Sequence, residues 1–245
     1  MVPIVLAARG SRDPRFAQAV WDLTRAVAAR RPDQRVRAAF LRHEVPDLRA
    51  ALAKEAALAH AAVTVVPLLL CDGYHARLLL SGESRASNGL PLSVRLTRVL
   101  GPTDGADRVA LDLLVAGLRR RLAEAAAGTG EPDALVLVGA GSRATRAMQA
   151  MALVARALGS ATGRTCLPAH VSPVDSTVDV AVTALRARGA RAIAAVSLHL
   201  GPGRLFDRLG WEADRCRVPT ITAPLGAAPE LVELILTRAS SAEPA

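Results

Sequence analysis

A chain of 245 residues with 51% hydrophobic residues, 22% charged residues and a net charge of +9 is long enough to bury one extended core or two smaller ones. Its longest strongly apolar stretch, AAVTVVPLLL at 61–70, is roughly half of a membrane span, and no basic, apolar leader opens the chain, so a cytoplasmic protein without membrane contact is expected. The positive charge does not point to nucleic acid, because aromatic residues make up 2% of the chain and no basic cluster alternates with stacking side chains.

Taken in chain order, VLAARGSRDPR at 5–15 reads as a buried strand that stops at a glycine-containing turn and opens a helix. Arg9 stands at the tip of that strand. Its guanidinium stays protonated and offers no lone pair, so it can bind an anion but cannot ligate a metal. Phe16, Val20, Leu23 and Val27 then fall on one helical face. RVRAAFL at 35–41 is the next strand, and a helix from Pro46 to about Ala59 follows, with Leu48, Leu52 and Ala56 inward. AAVTVVPLLL is a third strand, LSVRLTRV at 92–99 a fourth, and a long helix starts near Asp104. The same order returns with strands near 134–139, 164–171, 191–198 and 218–223.

The chain repeats itself. VLAARGSRDPRFAQAV at 5–20 aligns with VLVGAGSRATRAMQAM at 136–151 through Leu6/Leu137, Gly10/Gly141, Ser11/Ser142, Arg12/Arg143, Arg15/Arg146 and Gln18/Gln149. VVPLLLCDGYHAR at 65–77 lies over AVSLHLGPGRLFD at 195–207, and LTRVLG at 96–101 echoes ITAPLG at 221–226. The expected organisation is α/β: an N-terminal lobe over 1–127 that carries the site, a linker over 128–133, and a structural C-terminal lobe over 134–245. Each lobe is expected to be a small doubly wound parallel sheet flanked by helices, with a cleft between the two. Cys71, Cys166 and Cys216 are odd in number and never in C-x-x-C spacing, which signals neither a disulfide framework nor a zinc or iron–sulfur site.

ARGSRDPR, then AFLRHEVPDL, then VVPLLLCDGYHAR resemble the sirohydrochlorin chelatase family of class II cobalt and iron chelatases. AGSRATR, LHLGPGRLFDRLG and PLGAAPELVELIL resemble the second half of its duplicated, two-lobe members. That resemblance implies insertion of a divalent metal into an acidic tetrapyrrole, with a histidine after strand one, an acidic residue after strand two and a histidine after strand three. His75, within GYHAR, matches the third of these. Arg9 replaces the first histidine, Arg42 stands in the place of the acidic residue, and Leu79 replaces an aspartate four places after the retained histidine. In the second half Ala140, Ser172 and Leu205 stand where Arg9, Arg42 and His75 do, and His170 and His199 read as ordinary strand-end histidines.

What the resemblance implies for the site follows from these matches. His75 is expected to be the catalytic residue, as metal ligand or base. Arg9, Gly10, Ser11, Arg42 and Tyr74 are expected to bind substrate, with the two guanidinium groups on its acidic arms. His43 and Glu44, next to Arg42, are candidates to join His75 at the metal. The expected activity is a lyase-type chelatase placing Fe²⁺ or Co²⁺ in sirohydrochlorin for sirohaem or cobalamin synthesis. No permanently bound cofactor is expected, with the metal as a substrate. The alternative is a non-catalytic or repurposed relative that binds a tetrapyrrole or another polyanion. Because the duplication supplies two lobes in one chain, a monomer with no nucleic-acid or membrane partner is expected.

Overall fold

The alternating apolar runs become eight strands in two four-stranded parallel sheets, in the orders β2-β1-β3-β4 and β6-β5-β7-β8. The computed structural model describes residues 1–71, 86–142, 144–172 and 177–241. The first sheet is β1 (Ile4–Ala8), β2 (Val36–Phe40), β3 (Ala62–Pro67) and β4 (Ser93–Leu96). The second is β5 (Ala134–Gly139), β6 (Thr165–His170), β7 (Ile193–Ser197) and β8 (Thr220–Ile221). β1 and β5 are buried at every position because each lies between two strands with helices over both faces, the setting in which continuous apolar runs replace alternation.

The internal duplication is visible at the level of single hydrogen bonds. The Leu41 amide donates to the Ala8 carbonyl at 2.9 Å, as the Val171 amide does to Gly139 at 3.1 Å. The Leu68 amide donates to Ala7 at 2.9 Å, as the Leu198 amide does to Val138 at 2.8 Å. The bridge from Phe40 to Asp47 has its counterpart from His170 to Thr177.

Among the described residues six helices lie between strands and a seventh follows the last strand: α1 (Pro14–Arg30), α2 (Leu48–Ala57), α3 (Arg108–Thr129), α4 (Thr145–Thr162), α5 (Val178–Ala187), α6 (Arg204–Arg215) and α7 (Pro229–Ser240). Local chemistry sets several of their ends. Asp13 caps α1 by accepting from the Arg15 amide at 3.1 Å, and Pro14 supplies a preset φ at the first helical position. Asp47 caps α2 through the Ala50 amide at 2.7 Å, so that helix starts at Leu48 rather than at Pro46. The long helix begins at Arg108, four residues beyond the expected start, after a turn in which Asp104 accepts from the Ala106 amide.

The inward face of α2 also differs from the expectation. Leu48, Ala51, Leu52 and Glu55 are buried, whereas Ala56 is only half-buried. Glu55 is fully buried because its carboxylate is met by Arg37 Nε, by Arg35 Nε at 3.3 Å and by His60 Nε2 at 3.4 Å. A buried carboxylate is tolerated where such partners replace its hydration.

The sheets keep to their own halves of the sequence, but two helices cross between them. α3, which follows the first sheet, packs on α4, β7 and β8, and α7, the last helix, packs on α1, α3 and β3. One apolar cluster therefore runs through both lobes, from Leu6 and Leu23 through Leu114 and Leu118 to Leu137, Leu198 and Ile235. Separate clusters lie on the outer faces, around Leu52 and Val65 in the first lobe and Val182 and Leu209 in the second. Each fully buried Leu or Ile side chain in the shared cluster contributes about 1.5–3 kcal/mol relative to exposure, so the lobes are joined by core rather than by a hinge. None of the three cysteines forms a disulfide. No described helix is long and apolar enough to cross a membrane.

Candidate functional site

The carboxyl ends of β1 and β2 bring two loops together. Arg9 is exposed at the end of β1, and Gly10, directly after it, is buried with a φ of +81°. A Cβ on Gly10 would stand 1.8 Å from the Arg42 carbonyl oxygen, so the two loops meet backbone to backbone. Only glycine allows both that approach and that φ. The Ser11 hydroxyl accepts from the Asp13 amide at 3.1 Å, which closes the turn just before α1.

The second loop, 41–46, is cinched at its base by the Phe40 amide donating to the Pro46 carbonyl at 2.9 Å. It contains a cis bond between Val45 and Pro46. Arg42 and His43 are exposed and Glu44 is half-buried. His43 has a φ of +70°, a region that costs a non-glycine residue and recurs at binding sites. The structure therefore places Arg9, Gly10, Ser11, Arg42, His43 and Glu44 in two adjoining loops at one end of the first sheet. His75, Tyr74 and Leu79 lie outside the described residues. Among the described residues, no three His, Cys, Asp or Glu side chains group closely enough to hold a metal ion.

The second lobe repeats the backbone of this arrangement with different side chains. Gly141 has a φ of +95°, and a Cβ there would meet the Ser172 side chain at 3.0 Å and the His170 Cβ at 3.3 Å. Ala140 and Ser172 thus occupy the places of Arg9 and Arg42, and neither carries charge.

His170 and His199 both end up buried, and each has a ring nitrogen, Nδ1 and Nε2 respectively, with no hydrogen-bond partner. They do not converge. His170 follows Cys166 and Pro168 on the face that packs on the shared core, whereas His199 follows Ala195 and Ser197 on the opposite face, where its ring meets Phe206 edge-on at 6.3 Å. The His199 Nδ1 is 2.9 Å from the Ser197 hydroxyl. Burial pushes the His199 pKa down to about 4 and that of His170 in the same direction.

This depression has a signed consequence. Between the unfolded value of 6.5 and the folded value near 4 the unfolded chain binds the His199 proton and the folded chain does not. Stability is therefore full above pH 6.5 and falls as the solution is acidified toward pH 4, by about 3 kcal/mol from this residue. Urea denaturation at pH 7 and pH 4.5 is expected to show a shallower loss for His199→Gln than for the parent. Equal losses in the two proteins would contradict a neutral, buried imidazole.

Three side chains at this end of the molecule were not singled out by their sequence context. Asp13, Arg15 and Asp207 form one ion-pair group, with Arg15 Nη2 at 2.6 Å from Asp13 Oδ2 and 2.5 Å from Asp207 Oδ2. The Asp-Pro pair before a helix signals the cap at Asp13. Nothing local signals Asp207, which is 192 residues away from Arg15 in the chain.

Comparison with known proteins agrees with the duplicated two-lobe fold. The CbiX family model matches twice, over residues 3–115 and 134–242. Among solved structures the chain is similar to SirB from Bacillus subtilis with Fe³⁺, at 19% identity and a TM-score of 0.80, covering 97% of this chain and 94% of that one. It is also similar to the sirohydrochlorin chelatase SirB from Bacillus subtilis subspecies spizizenii in complex with cobalt, at 16% identity, a TM-score of 0.77 and coverage of 98% and 94%. A third similar structure is CbiX, the terminal enzyme for biosynthesis of siroheme in denitrifying bacteria, at 21% identity, a TM-score of 0.68 and coverage of 99% and 100%. No match was found among curated proteins. With its two-lobe fold shared along nearly its whole length with these structures and both halves matched by one family model, this chain belongs to the CbiX family.

Proposed function

We propose that this chain is a sirohydrochlorin-type chelatase that takes an acidic tetrapyrrole and a divalent metal, Fe²⁺ or Co²⁺, as its substrates, for sirohaem or cobalamin synthesis. The observation that carries this reading is the seating of Gly10 against the Arg42 carbonyl, which sets two exposed arginines side by side at the carboxyl ends of adjacent strands. Ligands of open parallel sheets bind at that end. Arg9 and Arg42 hold carboxylate arms of the macrocycle through charge-assisted, bidentate contacts.

Insertion requires two pyrrole protons to leave as the metal enters. His75 delivers the metal or collects a proton, since a neutral imidazole can do either near neutral pH. His43 and Glu44, in the loop that also presents Arg42, contribute a further nitrogen or oxygen donor. The second lobe, with Ala140 and Ser172 at the equivalent places, limits solvent access. Because one chain already supplies two lobes, the working form is a cytoplasmic monomer.

An anaerobic absorbance assay with sirohydrochlorin and Fe²⁺ or Co²⁺ tests this reading. Insertion is expected to exceed the uncatalysed rate and to fall at least about a hundredfold in His75→Ala, the scale of losing a positioned acid–base group. Pigment binding without acceleration would instead favour the non-catalytic, tetrapyrrole-binding alternative. Neither binding nor turnover would overturn both readings and direct attention to other anionic ligands.

A further inference from the structure

Arg15 is gripped from two sides. Its Nε and Nη2 donate to Asp13 Oδ1 at 3.0 Å and Oδ2 at 2.6 Å, while Nη1 and Nη2 donate to Asp207 Oδ1 at 3.2 Å and Oδ2 at 2.5 Å. Both contacts are paired, fork to fork. Asp13 belongs to the first lobe and Asp207 to α6 of the second. The two carboxylates raise the Arg15 pKa, Asp13 foremost, and Arg15 in turn lowers that of Asp13. Arg15 and Asp207 are half-exposed, at 52% and 50%, a setting in which ion pairs contribute little to stability. Their arrangement therefore calls for a role other than holding the fold.

Position supplies one. Asp13 caps α1 and is tied by its amide to Ser11, so it is continuous with the turn that presents Arg9 and Gly10. On the other side, the segment from β7 to α6 presses on the same region. A Cβ on Gly201 would stand 2.8 Å from the Ala19 Cβ, and one on Gly203 would stand 3.9 Å from Asp13. The duplication does not repeat Asp13, since Ala144 takes its place in the second half while Arg146 takes that of Arg15.

We propose that Arg15 is a positioning residue that locks the Arg9–Asp13 turn to the second lobe through Asp207, and so presets the anion-binding face of the site. This assignment rests on the chelatase reading for its substrate but not for its mechanics. Without the tie to Asp207, the turn is free to shift while its own cap and the fold stay intact.

The test uses the full chain and Asp207→Ala, which leaves the Asp13–Arg15 pair in place, with Arg15→Gln as a second variant. Amides of the 9–13 turn are expected to exchange hydrogen about fivefold faster in Asp207→Ala by millisecond exchange, with the core unchanged. In the metal-insertion assay, KM for the pigment is expected to rise about fivefold with kcat within about twofold, the pattern of weakened binding. A merely structural role would lower the active fraction and hence kcat, leaving KM unchanged. Unchanged exchange at the turn would overturn the proposal whatever the activity. Faster exchange with an unchanged KM would reduce the contact to a structural tie and equally overturn it. If the parent protein neither binds pigment nor inserts metal, the chelatase reading fails and the exchange result alone decides the mechanical one.

Discussion

Gly10→Ala is expected to lose about 3 kcal/mol of stability and at least about tenfold in pigment affinity, because the new methyl group has nowhere to go. At this position φ is +81° and the Cβ would lie 1.8 Å from the Arg42 carbonyl oxygen. The obstacle is backbone, so no side-chain rotation relieves it. Either the Arg9 turn leaves its left-handed conformation or the Arg42 loop retreats, and both move apart the two loops that carry the arginines. The duplicated lobe supplies an internal control. At Gly141, φ is +95° and the nearest atom is the Ser172 Cβ at 3.0 Å, a side-chain atom on a lobe without the arginines. Gly141→Ala is expected to cost about 1 kcal/mol of strain and to leave pigment binding unchanged. Thermal melts and pigment titrations of both variants check this. Equal losses of affinity would show that the Gly10–Arg42 contact does not shape the site.

Arg238→Ala, outside the site, is expected to destabilise the protein by about 3–5 kcal/mol, or roughly 10 °C in thermal midpoint for a chain of this size. Arg238 sits on α7, and its Nη2 and Nη1 donate to Asp107 Oδ2 at 2.6 Å and Oδ1 at 3.2 Å. Its Nε donates to the Val99 carbonyl at 3.0 Å. The side chains of Arg238 and Asp107 are only 10% and 6% exposed. Truncating the arginine leaves a buried carboxylate and a buried carbonyl without their donor, which costs far more than the pair itself contributes. The double variant Arg238→Met with Asp107→Leu removes both charges and is expected to recover most of the loss. Urea denaturation of the three proteins measures the difference. A double variant no more stable than Arg238→Ala would show that the pair stabilises by attraction rather than by mutual satisfaction.

How much of this was legible in the sequence follows from how far apart the interacting residues lie. Strands β1 and β5 were readable because burial on both faces requires unbroken apolar runs, and the turn at Gly10 because a glycine follows such a run and a helical pattern follows the glycine. Boundaries were less readable. Asp47 rather than Pro46 starts α2, and the inward Glu55 breaks the apolar pattern because Arg35, Arg37 and His60 converge on it from other segments. Of the site, the resemblance implied that Arg9 and Arg42 share a substrate, while the meeting of their loops at Gly10 depends on the pairing of β1 with β2. The roles of Asp13 and Arg15 were only half-visible, since their common partner lies in the other lobe.

By itself, then, the sequence determined what periodicity and local chemistry can encode: two copies of one α/β unit, their parallel strands, their capped helices, and charged side chains at the strand ends of the first copy alone. The tertiary structure decided what depends on distant segments meeting. It exchanged α3 and α7 between the lobes, so that their apolar faces bury in one core shared by both sheets. It turned His170 and His199 to opposite faces of one sheet, because the register of β6 and β7 on β5 decides which face the alternating positions of each strand take. It also closed Arg15 between two carboxylates from separate lobes, a contact that no local pattern announces because its energy comes from through-space proximity alone.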